Sequence, residues 1–410
     1  YYYNINREEQ MKKQTKKQIL EFLHFWPMTI VVPILLLLIL FPGIANAKVK
    51  SNDINFPGNF YTTEIKACKA MGDVSFNTAW NVEHVQGLIG YDWHKDHEEN
   101  SNSLTVEHKR ITGPIKTFLI ATHNAIGNGN QKNIDIATDL AVQLAKADTL
   151  YDSLGLIGAR KAPLCYGGKA DPYAPCKYHE YQFARDVFGN YMVAAVWLKP
   201  YFTPEEKKIV DKYMKKMYKK FLKPALGKEK EQGFYQMANG GINFLVYASW
   251  SDNKKLAAKE MNIRFKEIDD LFFEDGYINN NSFRGVRGQW YHTYGLNSAL
   301  AYIHIAKLWG AEVPESVMNK VIKASEVANL AIVDREAFLS RELPKKYYNK
   351  NHSTDPKHAR WHTHQDAIGI GVLMELVAGV ELEHDPVYLK KRRQHGIDDT
   401  ITFNPNCLVK

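Results

Sequence analysis

No Cys-x-x-Cys pair occurs in the 410 residues, which excludes the zinc sites built on paired cysteines. No dense Lys/Arg block with nucleic-acid-binding spacing is present either, so DNA and RNA are set aside as partners. The middle of the chain has no run of alternating apolar and polar residues, which argues against a sandwich or barrel. There is no fixed-period repeat, so a short-repeat solenoid is not signalled. The apolar run Met28–Phe41 is short for a membrane span and is interrupted by Pro33.

That run makes sense as part of a leader. Met11 is followed by Lys12, Lys13, Lys16 and Lys17, then by the apolar run, then by Ala45-Asn46-Ala47. A basic segment, an apolar segment and small residues at a cleavage point form a secretion signal. Residues 1–10 lie upstream of its start. Residues 1–47 are therefore assigned to upstream sequence and signal peptide, and residues 48–410 to a single mature domain, periplasmic or secreted. An uncleaved anchor is the alternative and would be the chain's one membrane contact. Removing five basic and three acidic side chains with the leader takes the net charge from +8 to +6, which suits an anionic partner without requiring one. Four cysteines remain, Cys68, Cys165, Cys176 and Cys407, and an even count in an exported chain points to two disulfides with three open pairings. Cys165 and Cys176 bracket a Gly/Pro-rich loop and are paired on that ground, leaving Cys68 to join Cys407.

From Thr63 onward the pattern is helical. Segments Thr112–Ala125, Ile134–Ser153, Glu180–Leu198, one opened by Pro204, Gly241–Trp250, Asn253–Phe273, Tyr291–Leu308, Pro314–Asn329 and Asp366–Val380 carry apolar residues at helical spacing. Short polar turns between them predict antiparallel helical hairpins, an all-α chain that is a bundle, a solenoid or a toroid. The polar stretch 92–104, with Trp93, His94 and His97, reads as a surface loop suited to a lid.

One segment concentrates chemistry. Arg284-Gly-Val-Arg287-Gly-Gln-Trp290-Tyr291-His292-Thr-Tyr294 follows the Asp275-Gly276 turn and runs into an apolar stretch. With Ser282 as its cap, a helix from about Arg284 places Arg284, Arg287, Tyr291 and Tyr294 on one face. Guanidinium groups grip carboxylates through paired hydrogen bonds, and a phenol beside fixed positive charge has its phenolate favoured. Such a face suits an acidic sugar.

The spacing Arg-x-x-Arg-x-x-x-Tyr-His after an Asp-Gly turn resembles the signature of the alginate lyase family. The likeness is strongest over residues 230–310 and extends as a helical pattern over most of the mature chain. It implies an (incomplete) α/α toroid and a polysaccharide lyase that cleaves a 1,4-linked polyuronate by β-elimination, without cofactor or metal, on an acidic polysaccharide and as a monomer. It implies Tyr291 as the proton-transferring residue and Arg284 as the group that holds the carboxylate and favours the phenolate. Asn239 is implied as a carboxylate-neutralising residue, His292 as part of the motif with a packed structural role as its alternative, and Arg287 as a substrate contact or a structural partner of an acid. The family's Asn-His pair reads here as Asn239-Gly240, so its histidine is absent. His123 is a candidate for a compensating imidazole. Trp290, Tyr294 and Tyr235 are candidates for stacking on pyranose rings.

Other readings are kept open. The glycine at 240 favours a different uronate polymer such as glucuronan, or an inactive polyanion-binding protein. A helical-toroid glycoside hydrolase would need two facing carboxylates, for which Glu180, Glu274 and Asp275 are available. His358 to Asp366 holds several polar side chains that read as a helix start rather than a metal site.

Overall fold

The computed structural model describes residues 48–92, 95, 104–151, 176–223, 234–342, 352–358, 370–382 and 402–409. The leader, the Cys165–Cys176 loop, nearly all of the candidate lid and residues 359–366 lie outside the described residues, as do the side chains of Glu180, Tyr235 and Asn239.

The described chain is helical, with no strand beyond isolated bridges. In order its helices are α1 (Ala79–Gln86), α2 (Leu104–Gly127), α3 (Gln131–Lys146), α4 (Cys176–Leu198), α5 (Pro204–Met217), α6 (Phe234–Trp250), α7 (Lys254–Leu271), α8 (Gly288–Leu308), α9 (Glu315–Val333), α10 (Arg335–Ser340) and the short α11 (Ile370–Leu373). Contacts run in two series. Alternate helices α2, α4, α6 and α8 pack successively, with α11 against α8. The intervening helices pack as α3 with α5 and α7 with α9, each also touching the first series. Two concentric layers joined by hairpins make an α/α toroid.

Residue patterns explain which helix lies in which layer. Residues 187–198 of α4 are apolar almost throughout and all are buried, as are most of 288–306 in α8. A helix covered on every side needs apolar residues on every side. By contrast α5 buries only Val210, Tyr213, Met214 and Met217 and turns its lysines outward. Its start is set by Thr203, which accepts from the Glu206 N–H at 3.3 Å while the Glu206 carboxylate accepts from the Thr203 N–H at 2.8 Å.

Some helix starts differ from the sequence expectation, two of them instructively. Helix α2 begins at Leu104 rather than Thr112 and carries Pro114 inside it. A proline usually marks a first turn because it has no N–H to offer the helix. Here the apolar packing of Ile111, Ile115, Phe118 and Leu119 holds the helix through that defect. Helix α6 starts at Phe234 and runs through Asn239-Gly240-Gly241, where the glycines read as a helix boundary. Tertiary contact with α4, α7 and α8 overrides their low helix propensity.

The chain ends close the ring. Cys68 and Cys407 form a disulfide with Cα atoms 5.6 Å apart across 339 residues of sequence, as expected, and Asn404 Nδ2 donates to the Ala70 carbonyl at 2.7 Å. Phe403 stacks on Tyr61 at 4.7 Å. A cross-link over so long a loop restrains the unfolded chain by on the order of 5 kcal/mol at most. Replacing both cysteines by serine is expected to lower the thermal midpoint by roughly 5–10 °C in a calorimetric scan. An unchanged midpoint would show that the C-terminal segment is held by Phe403 and Asn404 alone.

Candidate active site

The approach to α8 is built as a series of turns. Asp275-Gly276 closes a hairpin in which the Phe273 N–H donates to the Tyr277 carbonyl at 2.8 Å and the Asn279 N–H to the Leu271 carbonyl at 2.8 Å. Gly276 has φ +88°, and a Cβ there would lie 2.3 Å from the Lys323 carbonyl oxygen of α9. Asn280 is left-handed at φ +62°, a conformation asparagine tolerates better than most residues. The chain then reaches Arg284, Gly285, Val286 and Arg287 before α8 begins at Gly288.

This corrects the expected helix start. Arg284 and Arg287 are not on the helical face. Ser282 does not cap α8, whose N-cap position is Arg287 with no side-chain capping bond. Gly285, at φ +61°, pairs instead with Ser353 in a parallel bridge. The Val286 N–H donates to the Ser353 carbonyl at 2.9 Å, and the Ser353 N–H donates to the Arg284 carbonyl at 3.3 Å.

The turn nevertheless brings both cations to one phenol. The Arg284 guanidinium carbon lies 3.7 Å from the centre of the Tyr291 ring. Its Nε donates to the Asn280 carbonyl at 3.1 Å, and only 3% of the residue is exposed. Arg287 Nη2 donates to Tyr291 Oη at 2.8 Å, while its Nε is buried with no hydrogen-bond partner. Asn281 Nδ2 donates to the Tyr291 carbonyl at 2.8 Å and fixes the backbone of that residue. Gly295 leaves room for this contact, since a Cβ there would meet Asn281 Nδ2 at 2.6 Å. Trp290 lies edge-on to both Tyr291 and Tyr294, at 4.7 and 5.0 Å, and Trp290 and Tyr294 are half-buried.

His292 takes the packed structural part. It is fully buried. Its Nε2 lies 2.9 Å from the Ala324 carbonyl, which can only accept, so this nitrogen carries the proton. Its Nδ1 lies 2.9 Å from Ser282 Oγ, which itself accepts from the Ile278 N–H at 2.7 Å. Both ring nitrogens are thus engaged, and the neutral imidazole clamps α8 to α9 over a small core of Tyr277, Phe283, Val327, Ala331 and Phe338. It is a packed residue at the α8–α9 seam, next in sequence to Tyr291. His123 is likewise a core residue, 2% exposed and edge-on to Trp197 at 5.5 Å and Phe403 at 6.3 Å. It does not supply a compensating imidazole to a cleft.

Burial pushes His292 and His123 each down to about 4. Both are neutral in the folded chain at pH values where they would be charged in the unfolded one. The unfolded state therefore binds more protons between about pH 6.5 and 4, and stability falls as pH falls through that window. The slope is up to about 1.4 kcal/mol per pH unit for each histidine. Thermal midpoints measured from pH 7.5 down to 5 are expected to fall, and to fall less steeply in His123→Leu. Equal slopes in the two proteins would contradict the assignment.

None of the protein-family models matches the chain, and no curated protein matches its sequence. Solved structures do match its shape. Alginate lyase A1-III from Sphingomonas species A1 superimposes with a TM-score of 0.51 at 13% identity, over 75% of this chain and 77% of that one. A Tyr-to-Phe variant of alginate lyase A1-III in complex with a tetrasaccharide gives 0.50 at 12% identity, over 91% and 92% of the two chains. A His-to-Ala variant complexed with a tetrasaccharide gives 0.50 at 13%, over 75% and 76%. The fold is alginate lyase-like.

Within this alginate lyase-like fold, Arg284, Arg287, Trp290, Tyr291 and Tyr294 come together. Asn239 and Tyr235 lie on α6, the inner helix that packs beside α8. Sequence reasoning missed Asn280 and Asn281, which orient Arg284 and Tyr291, and Ser353, which holds the arginine turn. The run Asn279-Asn280-Asn281-Ser282 was the signal for the first two. Nothing in the sequence around Ser353 signalled a partner nearly seventy positions upstream. Among the described residues no three His, Cys, Asp or Glu side chains gather into a metal-binding group, and no helix is long and apolar enough to cross a membrane.

Proposed function

We propose that this chain is a polysaccharide lyase that cleaves a 1,4-linked polyuronate, of the polymannuronate type found in alginate, by β-elimination. The observation that carries the reading is the contact of two guanidiniums with one phenol: Arg287 on the Tyr291 oxygen at 2.8 Å and Arg284 on its ring face at 3.7 Å. The shared fold with alginate lyase A1-III, two of whose variants were solved with a tetrasaccharide, supports it.

The chemistry follows from the groups. A uronate carboxylate approaching this corner is held by the guanidiniums of Arg284 and Arg287, with Asn239 on the adjoining helix as a further donor. Neutralising the carboxylate makes the C5 proton more acidic, because the charge that develops on deprotonation spreads into it. Tyr291, as phenolate, takes the C5 proton. The electron pair left behind forms the C4–C5 double bond, the bond from C4 to the glycosidic oxygen breaks, and Tyr291 returns its proton to that oxygen. The tyrosine ends as it began, and no water is consumed. Trp290 and Tyr294 supply aromatic surface for the neighbouring sugar ring.

A hydrolytic reading finds less support. Glu274 is engaged by Lys320 at 3.1 Å with its side chain 89% exposed, and Asp275 is paired with Arg341. The acid nearest Glu274 through that lysine is Asp269, whose Oδ1 lies 3.2 Å from the same Lys320 nitrogen, so the two carboxylates share a cation rather than facing each other across a cleft.

The deciding experiment follows ultraviolet absorbance while the protein is incubated with polymannuronate, polyguluronate and glucuronan. Elimination creates a conjugated double bond and hydrolysis does not. A rise on one polymer is expected, and it names the substrate. Reducing ends released without absorbance would establish a hydrolase, and binding without either product would establish a polyanion-binding protein.

A further inference from the structure

The segment that clamps the arginine turn also brings an imidazole to it. Ser353 makes both bridging bonds through its backbone, so the bridge itself makes no demand on the neighbouring side chain. Yet His352 Nε2 lies 3.2 Å from the point where a Cβ of Gly285 would stand. One ring nitrogen therefore lies against the Gly285 backbone, in the turn that joins Arg284 to Arg287, beside the Ser353 carbonyl, and the residue is half-buried rather than sealed. The segment is fixed locally. The Asp355 N–H donates to Ser353 Oγ at 3.2 Å, and the Lys357 N–H donates to Asp355 Oδ1 at 2.9 Å. In the same turn, Arg287 keeps a buried Nε without an acceptor.

We propose that His352 is a substrate-binding residue of this site, its imidazole hydrogen-bonding the acidic sugar that Arg284 and Arg287 hold. The proposal rests on the reading of the site as a polyuronate site. An imidazole nitrogen can donate to a carboxylate or accept from a sugar hydroxyl, whereas a third guanidinium could only donate. The glycine at 285 lets the backbones pair, and that pairing is what carries the His352 nitrogen to the turn.

The test compares His352→Ala and His352→Gln with the unaltered protein. Three quantities are read: KM and kcat for elimination of the preferred polyuronate, the Kd of an oligomannuronate by calorimetry, and the thermal midpoint. The alanine variant is expected to raise KM and Kd by about tenfold, with kcat within about threefold and the midpoint unchanged. Glutamine, which retains a donor and an acceptor at comparable reach, is expected to recover most of the binding. Unchanged KM and Kd in the alanine variant would overturn the proposal. A joint fall of kcat and midpoint that glutamine does not rescue would also overturn it, by showing the ring to be packing for the bridge. Should the unaltered protein eliminate no polyuronate, the lyase reading fails, but the Kd comparison still decides on His352. Absence of oligomannuronate binding to the unaltered protein would overturn both.

Discussion

Tyr291→Phe is expected to lower kcat for polyuronate elimination by about a thousandfold while leaving the protein folded and able to bind an oligouronate. The variant keeps the ring on which Arg284 rests and removes one atom, the oxygen bonded by Arg287. Packing around Trp290 depends on the ring and not on the hydroxyl, so the thermal midpoint should move little. Arg287, freed from the phenol, would have one more donor for the carboxylate, so the Kd of an oligomannuronate is expected to hold or to tighten. The measurement pairs ultraviolet rates with calorimetric binding. A variant that retains activity within tenfold would show that another group moves the proton, and the mechanism as written would have to be abandoned.

The sequence was readable to different depths at different places, for physical reasons. The inner helices could be found because residues buried on all sides must be apolar on all sides, and outer ones such as α5 because a solvated face must be charged. The toroid could not be told from a bundle by periodicity, since both satisfy the same local pattern. It emerges only from the contact of alternate helices, α2 with α4, α4 with α6 and α6 with α8. At the site, residue types and spacing pointed to Arg284, Arg287 and Tyr291, but through a geometry that proved different. A helical stripe was expected, and a left-handed turn brings the same three groups together. His292 reads either as part of the motif or as a packed residue, because its place after Tyr291 does not show what surrounds it. Its neighbours in space, Ser282 and the Ala324 carbonyl, engage both ring nitrogens and place it with the packed residues. His352 and Ser353 escaped notice altogether, because a bridge between distant segments leaves no local mark except the glycine that permits it.

That glycine is the site of the other large effect. Gly285→Ala is expected to cost about a hundredfold in kcat/KM and about 2–3 kcal/mol in stability. Two causes combine. The residue sits at φ +61°, which disfavours any Cβ, and a Cβ there would stand 2.1 Å from the Ser353 carbonyl oxygen, a backbone atom that cannot swing aside. Relief requires the two segments to part, which breaks the Val286-to-Ser353 and Ser353-to-Arg284 hydrogen bonds together. The turn would then no longer hold Arg284 over the Tyr291 ring, and a shift of about 1 Å in a positioning group suffices for a loss of this size. Gly379→Ala separates the causes. Gly379 has φ +68° but nothing within 4 Å of its would-be Cβ. It carries the conformational cost without the collision, so the expected outcome is a loss of about 1–2 kcal/mol with kcat/KM unchanged. Rates and thermal midpoints measured on both variants decide the matter. If Gly285→Ala loses no more activity than Gly379→Ala, the Ser353 bridge is not what positions the arginines, and the turn must be held by Asn280 and Asn281 alone.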